Sequence, residues 1–292
     1  MRGTGLPLVT PFSDDESIDE GALRELVAWV TDAGVDFIVP CGSNSEAALL
    51  TPEERTRVVE VVADETDLPV LAGTGHPGLH QTREQTAAAA EAGADAALVV
   101  TPFYHQHDQA AMADYYRDVA DASAIPIYLY SVPKYTDTVL QPETVGELAS
   151  HPNIAGIKDS SGSLEALQRT ISRTDDADFD VLVGSGSIFA AGLEYGAAGG
   201  VLAMANVVPD LASEVYARQQ AGDIAGAREL NQSLVELNRA VTAGHGVPGL
   251  KAAMRHRGQP AGRTRRPFTP VDADAEETLA SLVDGALDDA RT

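Results

Sequence analysis

The sequence predicts a (β/α)8 TIM barrel followed by a helical C-terminal extension. Eight short apolar runs that are typical of buried strands alternate with longer amphipathic segments up to about residue 204. Strands and helices that alternate at this spacing form parallel sheets with right-handed crossovers. Eight such units favour a closed barrel, and an open doubly wound sheet is the alternative. The first run continues as Val9, Thr10 and Pro11 without a glycine-rich dinucleotide motif, which favours the barrel.

The elements follow one another in a regular order. Strands are predicted at residues 6–10, 37–41, 70–73, 96–101, 127–130, 154–158, 181–184 and 200–204, and helices at about 19–33, 52–65, 79–92, 109–122, 142–150, 163–172 and 188–195. Thr51, Pro52 and Glu54 have the pattern of a capped helix start. Glycines at positions 34, 93 and 196 occur where helices should end.

Strand patterns stop after Pro209, and the rest of the chain is predicted to be helical. Helices are expected at about 210–221, 225–243, 249–254 and 272–290. The last of these is acidic, but Leu279, Leu282, Val283 and Ala286 share one face, so we expect it to pack against the protein. We therefore divide the chain into a barrel of residues 1–222 and a helical region of residues 223–292.

The composition limits the partners of the protein. Among 292 residues, 44 are acidic and 20 are Lys or Arg, which gives a formal net charge of −24. Nucleic acid and anionic membranes repel such a surface, so neither is expected as a partner. This acidic excess also favours adaptation to high salt, in which screening weakens the repulsion between carboxylates.

The single cysteine and the lack of long apolar segments predict a cytoplasmic protein. Cys41 alone cannot form an internal disulfide framework or a multi-cysteine zinc site, and we expect it to be a small core residue. Apolar stretches stay shorter than about 18 residues, and the first residues lack the pattern of a secretion signal.

Lys158 is the most informative residue, because it ends the predicted sixth strand in a chain with three lysines. Removing an ammonium from water favours the neutral amine, the form that attacks a carbonyl group. An ion pair between Lys158 and Asp159 is the alternative for this segment taken alone. No metal or cofactor is expected.

Other reactive side chains follow neighbouring strands, and in a barrel they meet at one mouth. Ser43 and Asn44 follow the second strand, Tyr104 the fourth and Tyr130 ends the fifth, while Gly184 and Ser185 follow the seventh. Phenols can exchange protons with oxygen, and amides of a Gly-Ser-Asn turn can hold a carboxylate. This set suits an amine that attacks a ketone.

The chain resembles the dihydrodipicolinate synthase and N-acetylneuraminate lyase family of pyruvate-dependent class I aldolases over essentially its whole length. The resemblance rests on residues 42–46, on Tyr104 after Thr101 and Pro102, and on residues 130–133, 156–159 and 205–207.

The resemblance implies roles for individual residues. Lys158 would be the Schiff-base nucleophile, and Tyr130 would shuttle protons. Ser43 would relay protons from Tyr130. Tyr104 would be the next member of the relay, and in many relatives it comes from a neighbouring subunit. The amides of Ser43 and Asn44 would hold the substrate carboxylate, and Leu202 would pack over bound pyruvate. A homo-oligomer, by the family's habit a tetramer, is also implied.

Two positions depart from the family pattern. Ser45 stands where many members have glycine in a tight turn, which puts the backbone of that loop in doubt. Tyr135 stands where dihydrodipicolinate synthases carry the arginine that binds the carboxylate of aspartate semialdehyde. The tyrosine argues against lysine biosynthesis.

The substrate is less well determined than the chemistry. Residues 42–44, 129–133, 151–154 and 246–251 are similar to 4-hydroxy-2-oxoglutarate aldolases, whereas 2-keto-3-deoxygluconate aldolases share the same core. We rank the sugar-acid aldolase first for a salt-adapted cell, and we expect Tyr135, Ser131 and Ser185 to contact substrate hydroxyls. A barrel without catalytic activity, used for binding or regulation, is the non-enzyme alternative.

Several remaining features favour ordinary structural roles. His105 and His107 lack a third ligand at metal-binding spacing, so we expect a solvated loop. The short Gly-Ser-Gly pattern at 184–186 is a weak indication of a phosphate site. The arginines at 263, 265 and 266 are expected to form ion pairs, and Lys134 is expected to be exposed.

Overall fold

The computed structural model describes residues 1–289, and it is a barrel of eight parallel strands surrounded by helices, as predicted. The strands run in the order β2-β1-β8-β7-β6-β5-β4-β3, and a parallel bridge between Ile38 and Val70 joins the two ends. The strands are β1 Gly3–Leu6, β2 Phe37–Ile38, β3 Leu71–Gly73, β4 Ala96–Val100, β5 Ile127–Ser131, β6 Ile154–Asp159, β7 Asp180–Val183 and β8 Gly199–Val201.

The first strand lies earlier than the predicted 6–10. Gly3–Leu6 pairs with β8 and β2, and Pro7, which lacks an N–H, follows it. Val9 is nevertheless fully buried, and its N–H donates to Oδ1 of Asn206. The apolar run therefore continues past the strand because tertiary packing buries it.

The helices around the barrel confirm most of the predicted segments. Thr51 and Glu54 form the complete capping box at the start of α2. The helices are α1 Glu20–Asp32, α2 Pro52–Glu65, α3 Leu79–Glu91, α4 Gln109–Ala122, α5 Pro133–Thr136, α6 Pro142–Leu148, α7 Leu164–Thr174, α8 Phe189–Glu194, α9 Pro209–Gln220, α10 Ile224–Ser233, α11 Val235–Arg239, α12 Gly246–His256 and α13 Ala273–Asp289.

The segment predicted as one helix over 225–243 is helical, but it is divided into three pieces. α10 and α11 meet at Leu234, and a π-helical turn, Ala240–Gly244, follows α11. Asn231 donates to the carbonyl of Gly186, and Asn238 donates to the Ser187 hydroxyl. These bonds tie the segment to the loop after β7, which a helical sequence pattern does not reveal.

The C-terminal helix packs as its pattern predicted. Leu279, Val283 and Ala286 are buried, while Ala290, the predicted last residue of this helix, lies outside the described residues. The predicted division at residue 222 falls between α9 and α10, and the assignment of separate domains stays a prediction. Within residues 1–289 the helices are too short or too polar to cross a membrane.

The core has two layers because side chains alternate along each strand. The outer cluster lies between strands and helices and includes Ile127, Leu129 and Ile157. The interior cluster fills the barrel with Phe37, Val39, Leu71, Ala96, Leu98, Tyr128, Tyr130, Val132, Leu182 and Val201. The alternation therefore decides which residues of β5 and β6 face the barrel interior.

Candidate active site

Lys158 and Tyr130 meet inside the barrel. They are paired in the register of β6 and β5, and Lys158 is 5% exposed. Nζ of Lys158 lies 4.4 Å from the centroid of the Tyr130 ring. The structure therefore places a buried amine against an aromatic face at the mouth of the barrel.

Asp159 is not the partner of Lys158, so the alternative interpretation of this segment is wrong. The next residue along a strand points to the opposite face, and Oδ1 of Asp159 accepts the N–H of Ser161 at 2.7 Å. Burial raises the pKa of Asp159. Among residues 1–289, Lys158 forms no ion pair with a carboxylate.

The hydroxyl group of Ser43 lies next to that of Tyr130. Their hydroxyl oxygens lie 3.3 Å apart, and either can donate. Ser43 and the neighbouring Asn44 are half-buried, and Nδ2 of Asn44 is buried without a hydrogen-bond partner in the described structure. The unpaired amide of Asn44 is suited to a polar ligand, because a buried donor without a partner is costly.

The doubt about Ser45 is resolved by the geometry of its loop. Ser45 does not adopt a positive φ; Cys41 and Glu46 do, at 57° and 58°. The Ser45 hydroxyl is fully buried, accepts the N–H of Gly42 at 3.1 Å and donates to the carbonyl of Leu8. The serine therefore stabilises the loop by hydrogen bonds and needs no glycine conformation.

Tyr135 and Lys134 lie on the rim of the site. The Tyr135 side chain is 55% exposed, and partial burial, followed by the nearby Tyr130, raises the pKa of its phenol. Lys134 is exposed as predicted, and its Nζ lies 5.3 Å from the Tyr135 ring centroid. Nζ also donates to the carbonyl of Thr242, in the π-helical turn, at 3.1 Å.

Ser131 is a correction to the expected substrate contacts. It follows Tyr130 and so points away from the barrel interior, and its hydroxyl accepts the N–H of Leu140 at 3.3 Å. It is 2% exposed. Ser185, by contrast, is half-buried at the end of β7, and its hydroxyl has no bonded partner within residues 1–289. Gly184 packs closely against Ser160 there.

Two other expected residues lie apart from this cluster. Leu202 has no exposed surface and belongs to the outer core, so it offers no face to a ligand in this conformation. Tyr104 is 91% exposed and has a positive φ of 77°, and its ring contacts that of His105. Tyr104 therefore does not join Lys158, Tyr130 and Ser43 within one chain.

The residues expected to have structural roles behave accordingly. Cys41 is buried, and burial raises the pKa of its thiol to about 12. His105 and His107 are exposed, as expected for a solvated loop. The arginines at 263, 265 and 266 pair with Asp14, Glu54 and Glu16 respectively.

Sequence reasoning missed one pair of residues next to the site. Lys251 and Glu46 are completely buried and form an ion pair with Nζ 2.6 Å from Oε1. Lys251 ends the run at 246–251 that carried part of the family resemblance. The similarity of residues 246–251 to the family was therefore a signal for Lys251. A sequence nevertheless gives no indication that two residues so far apart in the chain meet.

Comparison with known proteins identifies the family to which the chain belongs. Residues 1–286 match the model of the dihydrodipicolinate synthetase family. The chain belongs to this family. A 4-hydroxy-tetrahydrodipicolinate synthase of Methanothrix thermoacetophila is 40% identical over 97% of this chain and 96% of its own. An uncharacterized DapA-like lyase of Halobacterium salinarum is also 40% identical, over 98% and 95%.

A solved structure gives the same result for the fold. The prophage protein YagE of E. coli K12, a member of the dihydrodipicolinic acid synthase family solved with pyruvate, superposes with a TM-score of 0.94. It is 29% identical and covers 98% of this chain and 99% of its own. The chain is therefore a TIM-barrel carbon–carbon lyase of the pyruvate-dependent class I aldolase type.

Proposed function

We propose that the protein cleaves 2-keto-3-deoxygluconate, or its 6-phosphate, to pyruvate and glyceraldehyde or glyceraldehyde 3-phosphate. The observation that carries the chemistry is the line of Lys158, Tyr130 and Ser43, with an amine 4.4 Å from a phenol ring and that phenol 3.3 Å from a hydroxyl. The observation that favours this substrate is Tyr135, a hydrogen-bonding phenol where an arginine would bind a carboxylate.

The proposed reaction begins at Lys158. Its neutral amine adds to the C2 carbonyl, and the carbinolamine loses its hydroxyl as water with a proton from Tyr130, which gives a protonated imine. Tyr130 takes the proton from the C4 hydroxyl while the C3–C4 bond breaks, and that electron pair forms an enamine with the imine nitrogen as the electron sink. The aldehyde leaves, the enamine gains a proton at C3, and water releases pyruvate and the free amine.

The neighbouring groups support these proton transfers. Ser43 can exchange protons with Tyr130, since their oxygens are within hydrogen-bond reach. The unpaired Nδ2 of Asn44 and the backbone amides of Ser43 and Asn44 are suited to the substrate carboxylate. Ser185 and Tyr135 are available for hydroxyl groups toward the aldehyde end. Neither Leu202 nor Ser131 is part of this proposal.

The second candidate is a 4-hydroxy-2-oxoglutarate aldolase. Lys134 is compatible with this candidate, because its Nζ donates to a carbonyl and has no carboxylate partner within the described chain. A lysine so placed would suit a second carboxylate, and it would equally suit the phosphate of the sugar-acid substrate. Condensation with aspartate semialdehyde, the reaction implied by the name of the Methanothrix relative, is the third candidate.

A substrate panel distinguishes these candidates. We predict that kcat/KM for cleavage of 2-keto-3-deoxygluconate or its 6-phosphate exceeds that for condensation of pyruvate with aspartate semialdehyde at least about tenfold, a gap of ~1.4 kcal/mol. The reason is that Tyr135 cannot replace a bidentate arginine. Coupled detection of pyruvate measures cleavage. Equal use of aspartate semialdehyde contradicts the choice, and preference for 4-hydroxy-2-oxoglutarate promotes the second candidate.

We also propose that the protein assembles as a homo-oligomer, a tetramer by the family's habit. Tyr104 supports this, because its ring is almost fully exposed at the carboxyl end of the barrel, where a second copy could use it. Light scattering in solution tests the assembly. A monomer with full activity would exclude a part for Tyr104 supplied by a neighbouring subunit.

A further inference from the structure

The buried ion pair of Lys251 and Glu46 connects the C-terminal region to the barrel mouth. Both side chains are fully buried, with Nζ 2.6 Å from Oε1. Oε1 has no other bonded partner within residues 1–289. Burial of two charges is costly unless each is paired, so the position of each depends on the other.

Lys251 and Glu46 are also fixed individually. Nζ of Lys251 donates to the carbonyls of Thr10 and Arg263, each at 2.6 Å. The backbone N–H of Arg265 donates to Oε2 of Glu46 at 2.8 Å. Glu46 is therefore held between α12 and the 263–265 segment.

Glu46 in turn fixes the loop that carries Ser43 and Asn44. Its φ is 58°, a left-handed conformation that costs free energy in a residue with a side chain. Its N–H donates to the carbonyl of Ser43 at 3.2 Å. Thr10, whose carbonyl accepts from Lys251, donates through its hydroxyl to the carbonyl of Ser45 at 2.9 Å. Lys251 thus reaches the loop by two routes.

We propose that Lys251 is a positioning residue for the substrate carboxylate and for the proton relay, acting through Glu46 on the turn of Ser43 and Asn44. This inference rests on the proposed function. Lys251 does not touch the reacting atoms. Its removal would leave the carboxylate of Glu46 buried without its countercharge, and the strained conformation at Glu46 would lose its support.

The electrostatic surroundings agree with this assignment. Burial lowers the pKa of Lys251 to about 8, Glu46 opposes that shift, and Arg255 and Arg265 add to it. Glu46, Arg255 and Arg265 are the charged groups that face Lys251. Arg263 also contacts Lys251, but it does so through its backbone carbonyl. Glu46 is therefore the neighbour that favours the charged form of Lys251.

Borohydride trapping of pyruvate in the full chain tests the proposal in three variants: Lys251→Met, Glu46→Gln and the double substitution. We expect the pyruvate concentration for half-maximal trapping to rise at least tenfold in Lys251→Met and in the double variant, and at least threefold in Glu46→Gln. At saturating pyruvate, each chain should still be modified once, at Lys158. The double variant removes both charges, so we expect its Tm to be closer to wild type than that of Lys251→Met.

The matched control is Arg257→Met, which breaks another ion pair of the same region, 3.1 Å between Arg257 and Asp210. We expect it to lower Tm without changing half-maximal trapping. Half-maximal trapping at the wild-type concentration in the double variant overturns the proposal, and if that variant does not fold, an unchanged value in Glu46→Gln does so. An equal rise in Arg257→Met also overturns it. Failure of wild type to be trapped refutes the proposed function instead.

Discussion

Lys158 is buried beside an aromatic face, and this determines how its amine can react. The face of the Tyr130 ring stabilises an ammonium by about 0.5–2 kcal/mol, whereas burial without a carboxylate destabilises it. A Schiff-base nucleophile attacks as the neutral amine and then forms a protonated imine, whose positive charge the ring face can stabilise.

Substitution of Lys158 should abolish turnover. Lys158→Ala removes the nucleophile, and Lys158→Arg replaces it with a guanidinium that stays protonated and cannot form an imine. We expect less than about one part in a thousand of wild-type activity in both variants, equivalent to a loss of at least ~4 kcal/mol in transition-state stabilisation. Pyruvate release and borohydride trapping are the measurements. Turnover above that level in Lys158→Arg contradicts the imine mechanism.

Tyr130→Phe should separate the hydroxyl from the ring. The ring contact with Lys158 is retained, so we expect folding and imine trapping to persist. The rate should fall by about 10²–10⁴, the usual contribution of a general acid–base group. Ser43→Ala should reduce kcat less, since Ser43 lies one step further along the relay. Steady-state kinetics beside circular dichroism test this, and unchanged turnover in Tyr130→Phe excludes the shuttle.

At the level of the strands, Gly156 allows β6 to pack closely between β5 and β7, two residues before Lys158. Gly156 also faces the barrel interior, where the Tyr128 ring lies across it. A Cβ at position 156 would come within 2.4 Å of that ring and 2.5 Å of the carbonyl oxygen of Asp180. The backbone contact cannot relax by a rotamer change, so the glycine is required by packing.

Gly156→Ala should therefore destabilise the barrel by about 1–3 kcal/mol, the range for overpacking of a core. Urea denaturation measures the change in the free energy of unfolding. Gly285→Ala is the matched control, because a Cβ there meets no atom within 4 Å in helix α13, and we expect it to stabilise by up to about 1 kcal/mol. Equal stability of Gly156→Ala and wild type would show that the close packing at β6 is wrong.

At the scale of the whole molecule, the net charge of −24 dominates the electrostatics. Most arginines on the surface pair with carboxylates, for example Arg57 with Glu20 and Arg169 with Glu143. Exposed pairs contribute little individually, and acidic residues far outnumber the cations. The unpaired carboxylates repel one another, which disfavours the compact state until salt screens them.

Stability should therefore rise with salt. Between 0.1 and 2 M KCl at pH 7 we expect Tm to increase by at least about 4 °C, which corresponds to roughly 1–2 kcal/mol for a chain of this size. Near pH 5, closer to the sequence pI of about 4.4, the increase should be smaller because fewer carboxylates are charged. Calorimetry at both pH values is the measurement. A Tm that is independent of KCl at pH 7 contradicts salt adaptation.

The amino-acid sequence was sufficient to predict the barrel, the order of its elements, and Lys158, Tyr130 and Ser43 at or after the ends of strands. These features are local or periodic: apolar runs, helix caps and residues that directly follow a strand. The errors in the prediction arose where the local pattern and the tertiary packing differ. They are the first strand, which begins earlier than predicted, and the helix of 225–243, which is divided.

Which side chains meet depends on the three-dimensional fold. Strand register placed Lys158 against Tyr130 and turned Asp159 and Ser131 away, and chain closure brought Lys251 to Glu46 across the molecule. It also showed that Glu46, and not Ser45, adopts the left-handed conformation. Such contacts depend on distances between residues far apart in the chain, and a single sequence contains no measure of those distances.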